Sequence, residues 1–133
     1  MNKLVIILLS IISVTVQAAE VYQGNDAAKL LIGNTIEANY NVGGECARHV
    51  FYEYYTEDGK IYGRERKMEQ QGSYTHYIGS WKVEDGKLCT SVYGRPHSCS
   101  SYEKVSDNTF KQSSDKMIFR NVKIHKGKYR PCS

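Results

Sequence analysis

Four cysteines and four histidines are the residues of this chain best equipped for chemistry. The cysteines are Cys46, Cys89, Cys99 and Cys132, and the histidines are His49, His76, His97 and His125. Thiols can attack, ligate metal or join in disulfides, while imidazoles ligate metal or move protons near neutral pH. Spacing narrows these options. There is no C-x-x-C pair, and only Cys89 and Cys99 lie near each other, so zinc is the weaker alternative to disulfides. The histidines form no H-x-H or H-E-x-x-H run, so they give no metal signature. No G-x-S-x-G is present, and Ser98, Ser100 and Ser101 stand in no triad context. The remaining catalytic option is a histidine pair with a lysine, hydrolysing a phosphodiester by general acid and base. Scattered surface histidines are the commoner case, so no catalytic residue, metal or cofactor is assigned.

The fate of the thiols depends on the compartment. The chain opens MNKLVIILLSIISVTVQAAE: a positive Lys3, a mostly apolar run from Leu4 to Val16, then Val16, Gln17 and Ala18 at a cleavage position. This is a secretory signal over 1–18, with the apolar run too short for a membrane span of ~20 residues. The remainder, 19–133, suits one small domain, periplasmic or secreted from a bacterium. Exported thiols meet an oxidising environment, so an even set of four cysteines reads as two disulfides. A formal net charge of +4, with acidic and basic residues interleaved, gives no nucleic-acid footprint.

The elements that must position these residues are mostly strands. Asp26 precedes a short apolar run and Gly33 follows it, which predicts one N-terminal helix with Ala27, Leu30 and Leu31 on one face. Strands are predicted at 34–41, 47–57, 60–67, 74–84, 87–93, 99–105, 109–112 and 117–124. The pairs Asp58 with Gly59, Asp85 with Gly86 and Asp107 with Asn108 are placed as turns. The fold expected is all-β: an antiparallel meander forming a small barrel or strongly curved sheet, with a β-sandwich as the alternative.

Two hairpins allow a register to be written down. A two-residue turn at Asp58 and Gly59 pairs Glu57 with Lys60, Tyr55 with Tyr62 and Glu53 with Arg64, and puts Val50, Tyr52, Tyr54 and Ile61 on the opposite, inner face. A two-residue turn at Asp85 and Gly86 pairs Glu84 with Lys87, Val83 with Leu88 and Trp81 with Thr90. Tyr77, Gly79, Trp81 and Val83 then line one face, and Lys82 and Cys89 the other.

The 79–100 stretch, GSWKVEDGKLCTSVYGRPHSCS, brackets the loop Gly94, Arg95, Pro96 and His97 between two thiols. A short loop would leave Cys89 and Cys99 diagonal, so a bridge between them needs a wider, irregular loop. We read the pair as a staple, contributing on the order of 2–4 kcal/mol. Cys46 and Cys132 then pair by elimination. Arg95 and His97 are the exposed contact candidates of the stapled loop. The chain also has 11 tyrosines. Tyr52, Tyr54, Tyr77 and Trp81 fall on the inferred interior face, either as an aromatic ligand pocket in a barrel mouth or as a filled core.

Taken in order, Leu31 to Thr35 (LIGNT), Tyr54, Tyr55, Asp58, Gly59, Gly63, Arg64, GSWKV at 79–83, GKLC at 86–89 and Cys99 resemble a family of small exported bacterial lipocalin-like β proteins of uncharacterised function. Gly79 and Trp81 are also similar to the lipocalin G-x-W, placed mid-chain instead of in the first strand. The resemblance covers about residues 30–105. It implies secretion, an antiparallel lipocalin-like fold and the pairing of Cys89 with Cys99, and it brings no catalytic residues. The function expected is an exported, disulfide-stapled domain that binds a protein or a small ligand. A small His/Lys hydrolase and a structural envelope component are the alternatives.

Overall fold

Tight turns and alternating strands set the order of the chain. The structure is a computed structural model that describes residues 12–40, 44–47, 49–66 and 73–132. Its elements are β1 (Val21–Tyr22), α1 (Gly24–Leu31), β2 (Asn34–Asn39), β3 (Val50–Tyr55), β4 (Lys60–Glu65), β5 (Thr75–Glu84), β6 (Lys87–Val92), β7 (Ser98–Ser106), β8 (Thr109–Ser114) and β9 (Ile118–Lys126). Strands β2 to β9 each pair antiparallel with their sequence neighbours, and β9 pairs back onto β2. The result is a closed eight-stranded barrel, not a sandwich. All eight predicted strands are present, displaced only at their ends. The sequence reading overlooked β1, which joins β7 through Val21 opposite Glu103 and Tyr22 opposite Tyr102. Much of the signal reading, residues 1–11, lies outside the described residues.

The barrel has two unlike ends. At one end are the short connections β3–β4, β5–β6 and β7–β8, with α1 packed against β2, β5, β6 and β7. A Cβ at Gly24 would stand 2.7 Å from the Gly86 carbonyl oxygen, so the start of the helix sits directly on the β5–β6 turn. Ala27, Ala28 and Leu31 are buried, and they join Ile36, Ala38, Phe51, Tyr55, Ile61, Leu88, Tyr102, Phe110 and Val122 in one core. Asp26 is not the cap expected of it. Gln23 holds the cap position, with no side-chain cap bond, and Asp26 stands in the first turn, where its charge favours the helix dipole. Gly33, at φ 77°, does turn the chain out of the helix, and its N–H donates to the Tyr55 carbonyl.

The second hairpin has the register read from its sequence: Glu84 opposite Lys87, Val83 opposite Leu88, Trp81 opposite Thr90. Asp85 (φ 51°) and Gly86 (φ 71°) both take positive φ, as a two-residue type I′ turn requires. The first hairpin differs by one residue. Tyr55 faces Ile61, Tyr54 faces Tyr62, Glu53 faces Gly63 and Tyr52 faces Arg64. Thr56 pairs with Lys60 instead: its N–H donates to the Lys60 carbonyl and its hydroxyl accepts the Lys60 N–H. The loop thus holds three residues, closed by Gly59 at φ 84°. Such a loop uses glycine in the left-handed region. The slip inverts the assignment of β3: Phe51, Glu53 and Tyr55 face the interior, while Tyr52 and Tyr54 face outward. Side-chain burial decides this. Ile61 is inward in either register; setting the buried Tyr55 opposite it in place of Thr56 outweighs the roughly 0.2–1 kcal/mol of each cross-strand charge pair in the other register.

Both disulfides form as read, Cys89 with Cys99 and Cys46 with Cys132, leaving no free cysteine. Cys89 and Cys99 are directly opposite on β6 and β7, and the loop beyond them runs wide from Ser91 to His97.

Candidate functional site

The register that turns Tyr52 and Tyr54 outward builds a site on the barrel's outer wall. Two rows of side chains cross β3, β4 and β5 there. One is Tyr54, Tyr62 and Ile78; the next, one pleat along, is Tyr52, Arg64 and His76. Successive positions on one face lie about 7 Å apart along a strand. The first row is an apolar platform, with Tyr62 47% and Ile78 67% exposed. The second row centres on a charge.

The C-terminal segment 127–132 crosses this wall as a strap. Gly127 turns it back at φ 71°. Thr35 on β2 then holds it, donating its hydroxyl to the Gly127 carbonyl at 2.6 Å and accepting the Tyr129 N–H at 3.0 Å. Cys132 is tied to Cys46, and the Arg66 guanidinium donates to the Cys46 carbonyl at 2.9 Å. Between strap and wall lies a cleft of about 800 Å³, lined from the strap by Lys128, Tyr129 and Arg130 and from the wall by both rows. Lys128 Nζ stands 5.4 Å from the centre of the Tyr54 ring, and Arg130 is 3.4 Å from His76 Nε2.

Arg64 is the unusual member. It is only 7% exposed, with its guanidinium carbon 5.1 Å from the centre of the Tyr52 ring and 4.5 Å from that of Tyr74. Its two terminal nitrogens donate to the strap carbonyls of Pro131 and Cys132, and its Nε has no partner. Among the described residues no carboxylate pairs with it, and no acidic side chain lines the cleft. Burial depresses the guanidinium below its usual value, and burial likewise pushes the neighbouring Tyr52 hydroxyl well up. A buried cation satisfied only by neutral carbonyls carries a desolvation cost that an arriving anion would offset.

The other residues singled out by sequence separate. Tyr77 points into the barrel, where its hydroxyl donates to Glu53 at 2.8 Å, and its ring also reaches the cleft beside Gly63. Trp81 faces inward, partly buried, and donates from Nε1 to the Thr56 carbonyl at 2.8 Å, away from the cleft. Arg95 and His97 stay exposed in the loop at the end opposite α1 and do not line it. The interior, by sequence a candidate aromatic pocket, is instead packed around Phe51, Tyr55 and Tyr102.

The histidines are spread out. His76 lines the cleft. His125 lies 3.4 Å from Glu37 and is covered by the Tyr129 ring, stacked with centroids 3.7 Å apart. That contact is an ion pair only when the imidazole is protonated, and it lacks the alignment of a hydrogen bond. His49 takes φ 65°, and His97 sits in the exposed loop. Among the described residues, the one group spaced for a metal is Glu45 with Cys46 and Cys132. Its two sulfurs are joined to each other, so they offer no thiolate.

Sequence reasoning missed Arg64 as a site residue, together with Lys128, Tyr129 and Arg130. A signal was present. The run GKYRPC ends in a cysteine paired with Cys46, which sets it against the strand carrying Tyr52 and Tyr54. No family model, curated protein or solved structure matches this chain.

Proposed function

We propose that this chain is an exported, non-catalytic binding domain that holds a small ligand in the cleft beneath its C-terminal strap. The observation that carries this reading is Arg64, a nearly buried guanidinium with an unpartnered Nε and, among the described residues, no carboxylate partner, at a cleft walled by tyrosines. Binding sites combine an apolar lining with a few placed polar groups, and this cleft has that composition. Export is supported by the leader-like 1–18 and by two disulfides, which persist in oxidising compartments. Among the described residues no helix is long and apolar enough to cross a membrane. The lipocalin-like resemblance agrees with a ligand-carrying barrel but would place the ligand inside, where this chain is packed.

The test is a fragment screen on the oxidised protein, read from backbone amide resonances. Hits should shift Tyr54, Tyr62, Ile78 and Lys128 together and should be lost in Tyr54→Ala with Lys128→Ala. Hits that shift only residues 93–97 would move the site to the stapled loop and overturn the reading.

A further inference from the structure

The cleft has a direction as well as a composition. Its platform, Tyr54, Tyr62 and Ile78, presents flat or apolar surface in a line across three strands. The adjacent row presents Arg64 and His76, and the strap adds Lys128 and Arg130 from above. Arg64 and Arg130, the latter beside His76, therefore gather along one side of an apolar floor, about 7 Å from it along the strands, while Lys128 Nζ stands 5.4 Å over Tyr54 in the floor itself. From these positions we infer that the ligand is an organic anion: a flat apolar ring system bearing one carboxylate or comparable acidic group. The ring lies on the Tyr54, Tyr62 and Ile78 row. The acidic group points toward Arg64 and is closed over by Arg130. This inference rests on the cleft being the binding site and adds the ligand's class.

Three features exclude other classes. A cation would meet Arg64, Lys128 and Arg130 with no acidic side chain among the described lining residues to receive it. A bare inorganic anion would leave the apolar row uncovered and would gain nothing from its two tyrosine rings. A neutral ring would cover the row but leave Arg64 with only the strap carbonyls as partners among the described residues. An ion pair formed there is partly withdrawn from water, so it is worth more than an exposed pair. The Tyr52 and Tyr74 rings beside the guanidinium and its two bonds to the strap carbonyls hold it in place before the ligand arrives, which reduces the ordering cost of binding.

The experiment uses the oxidised full chain and four probes: 2-naphthoate, 2-naphthylmethanol, 2-naphthylmethylammonium and inorganic phosphate. Naphthoate should bind at least about tenfold more tightly than the alcohol, while the ammonium and phosphate should not compete with it. Raising the salt should weaken naphthoate and leave the alcohol unchanged, because pairing of charges is screened. Arg130→Gln and Lys128→Gln lie on exposed positions and should lower naphthoate affinity severalfold without altering the weak affinity for the alcohol. Tyr62→Ala should weaken both. Arg64→Gln should abolish the preference for the acid, with a melting curve recorded in parallel to separate loss of binding from loss of fold. Equal affinity for naphthoate and naphthylmethanol overturns the inference, as does displacement of naphthoate by phosphate alone. If no naphthalene probe binds but other fragments shift the cleft resonances, the anion class falls while the cleft stands. If fragments bind elsewhere, both fall.

Discussion

The ring of Tyr77 lies across the bare Cα of Gly63, its partner on the facing strand. A methyl group at position 63 would overlap that ring. The ring cannot simply swing away, because its hydroxyl is held by Glu53 at 2.8 Å. Gly63→Ala is therefore expected to destabilise the barrel by about 2–3 kcal/mol, in the range of overpacked cores. Chemical denaturation checks this. The double variant Gly63→Ala with Tyr77→Ala should lose less than the two single changes added together, since the clash vanishes with the ring. Simple additivity would show that the ring and the glycine are not in conflict.

Glu53 gives a dependence on pH. Burial raises its carboxyl above the ordinary value of 4.5, only partly opposed by the hydroxyls of Tyr77 and Tyr55. A carboxyl with a raised folded-state pKa favours the folded state fully below its unfolded pKa. That contribution is lost as pH climbs from about 4.5 through the raised value. Glu53→Gln cannot ionise and should escape the loss. Its stability in denaturant should match the parent's near pH 4 and exceed it at pH 8. The excess at pH 8 should be about 1.4 kcal/mol for every tenfold change that burial makes in the proton affinity of the parent's carboxyl. A variant that is weaker at pH 8 would mean that the tyrosines hold Glu53 as a stabilised carboxylate.

The two disulfides should differ in weight. Cys46 and Cys132 are separated by 86 positions, and Cys89 and Cys99 by 10. Closing the longer loop restrains the unfolded chain more, giving about 4.6 against about 2.7 kcal/mol at 25 °C. Replacing Cys46 and Cys132 with serine should thus cost more stability than replacing Cys89 and Cys99. It should also free the strap and abolish ligand binding under conditions where the barrel is still folded. Thiol labelling of the unreduced, denatured parent should give no signal, and any labelled cysteine would contradict the pairing.

How much of this was legible in the residues turns on two Asp-Gly pairs. At Asp85 and Gly86 the dipeptide forms the two-residue turn it signals, and every pairing and facing of β5 and β6 followed. At Asp58 and Gly59 the same dipeptide sits after Thr56, whose hydroxyl bonds to Asp58 and to the Lys60 backbone. That side chain closes a loop one residue longer. The alternation of β3 is plain in its residues, but its phase is not, and phase alone decides whether Tyr52 and Tyr54 point into the barrel or outward, where Tyr52 is buried at the cleft and Tyr54 is half-buried. The appeal of pairing Glu53 with Arg64 across the strands misdirects the choice. In the structure Glu53 is inside with two tyrosines and Arg64 is outside with two others. The strap was legible only through the pairing of Cys132 with Cys46. It has no periodicity, and its place is set by Thr35, Cys46 and Arg64, which stand far from it in sequence.

The two-residue strand β1 has a consequence out of proportion to its length. Strand β6 pairs with β7 only from Leu88 to Thr90, against Ser100 to Ser98, so the next stretch of β7 is left by its neighbour. Val21 and Tyr22 take up that stretch, and the Lys104 N–H reaches the Glu20 carbonyl at 2.8 Å. Without them, an otherwise closed barrel would offer a short row of unpaired backbone groups beside Tyr102, the kind of template on which a second chain adds its own strand. The segment 20–22 thus serves as a guard against self-association. A chain beginning at Gln23 is expected to lose monodispersity before it loses its barrel, and light scattering as a function of concentration would record the difference.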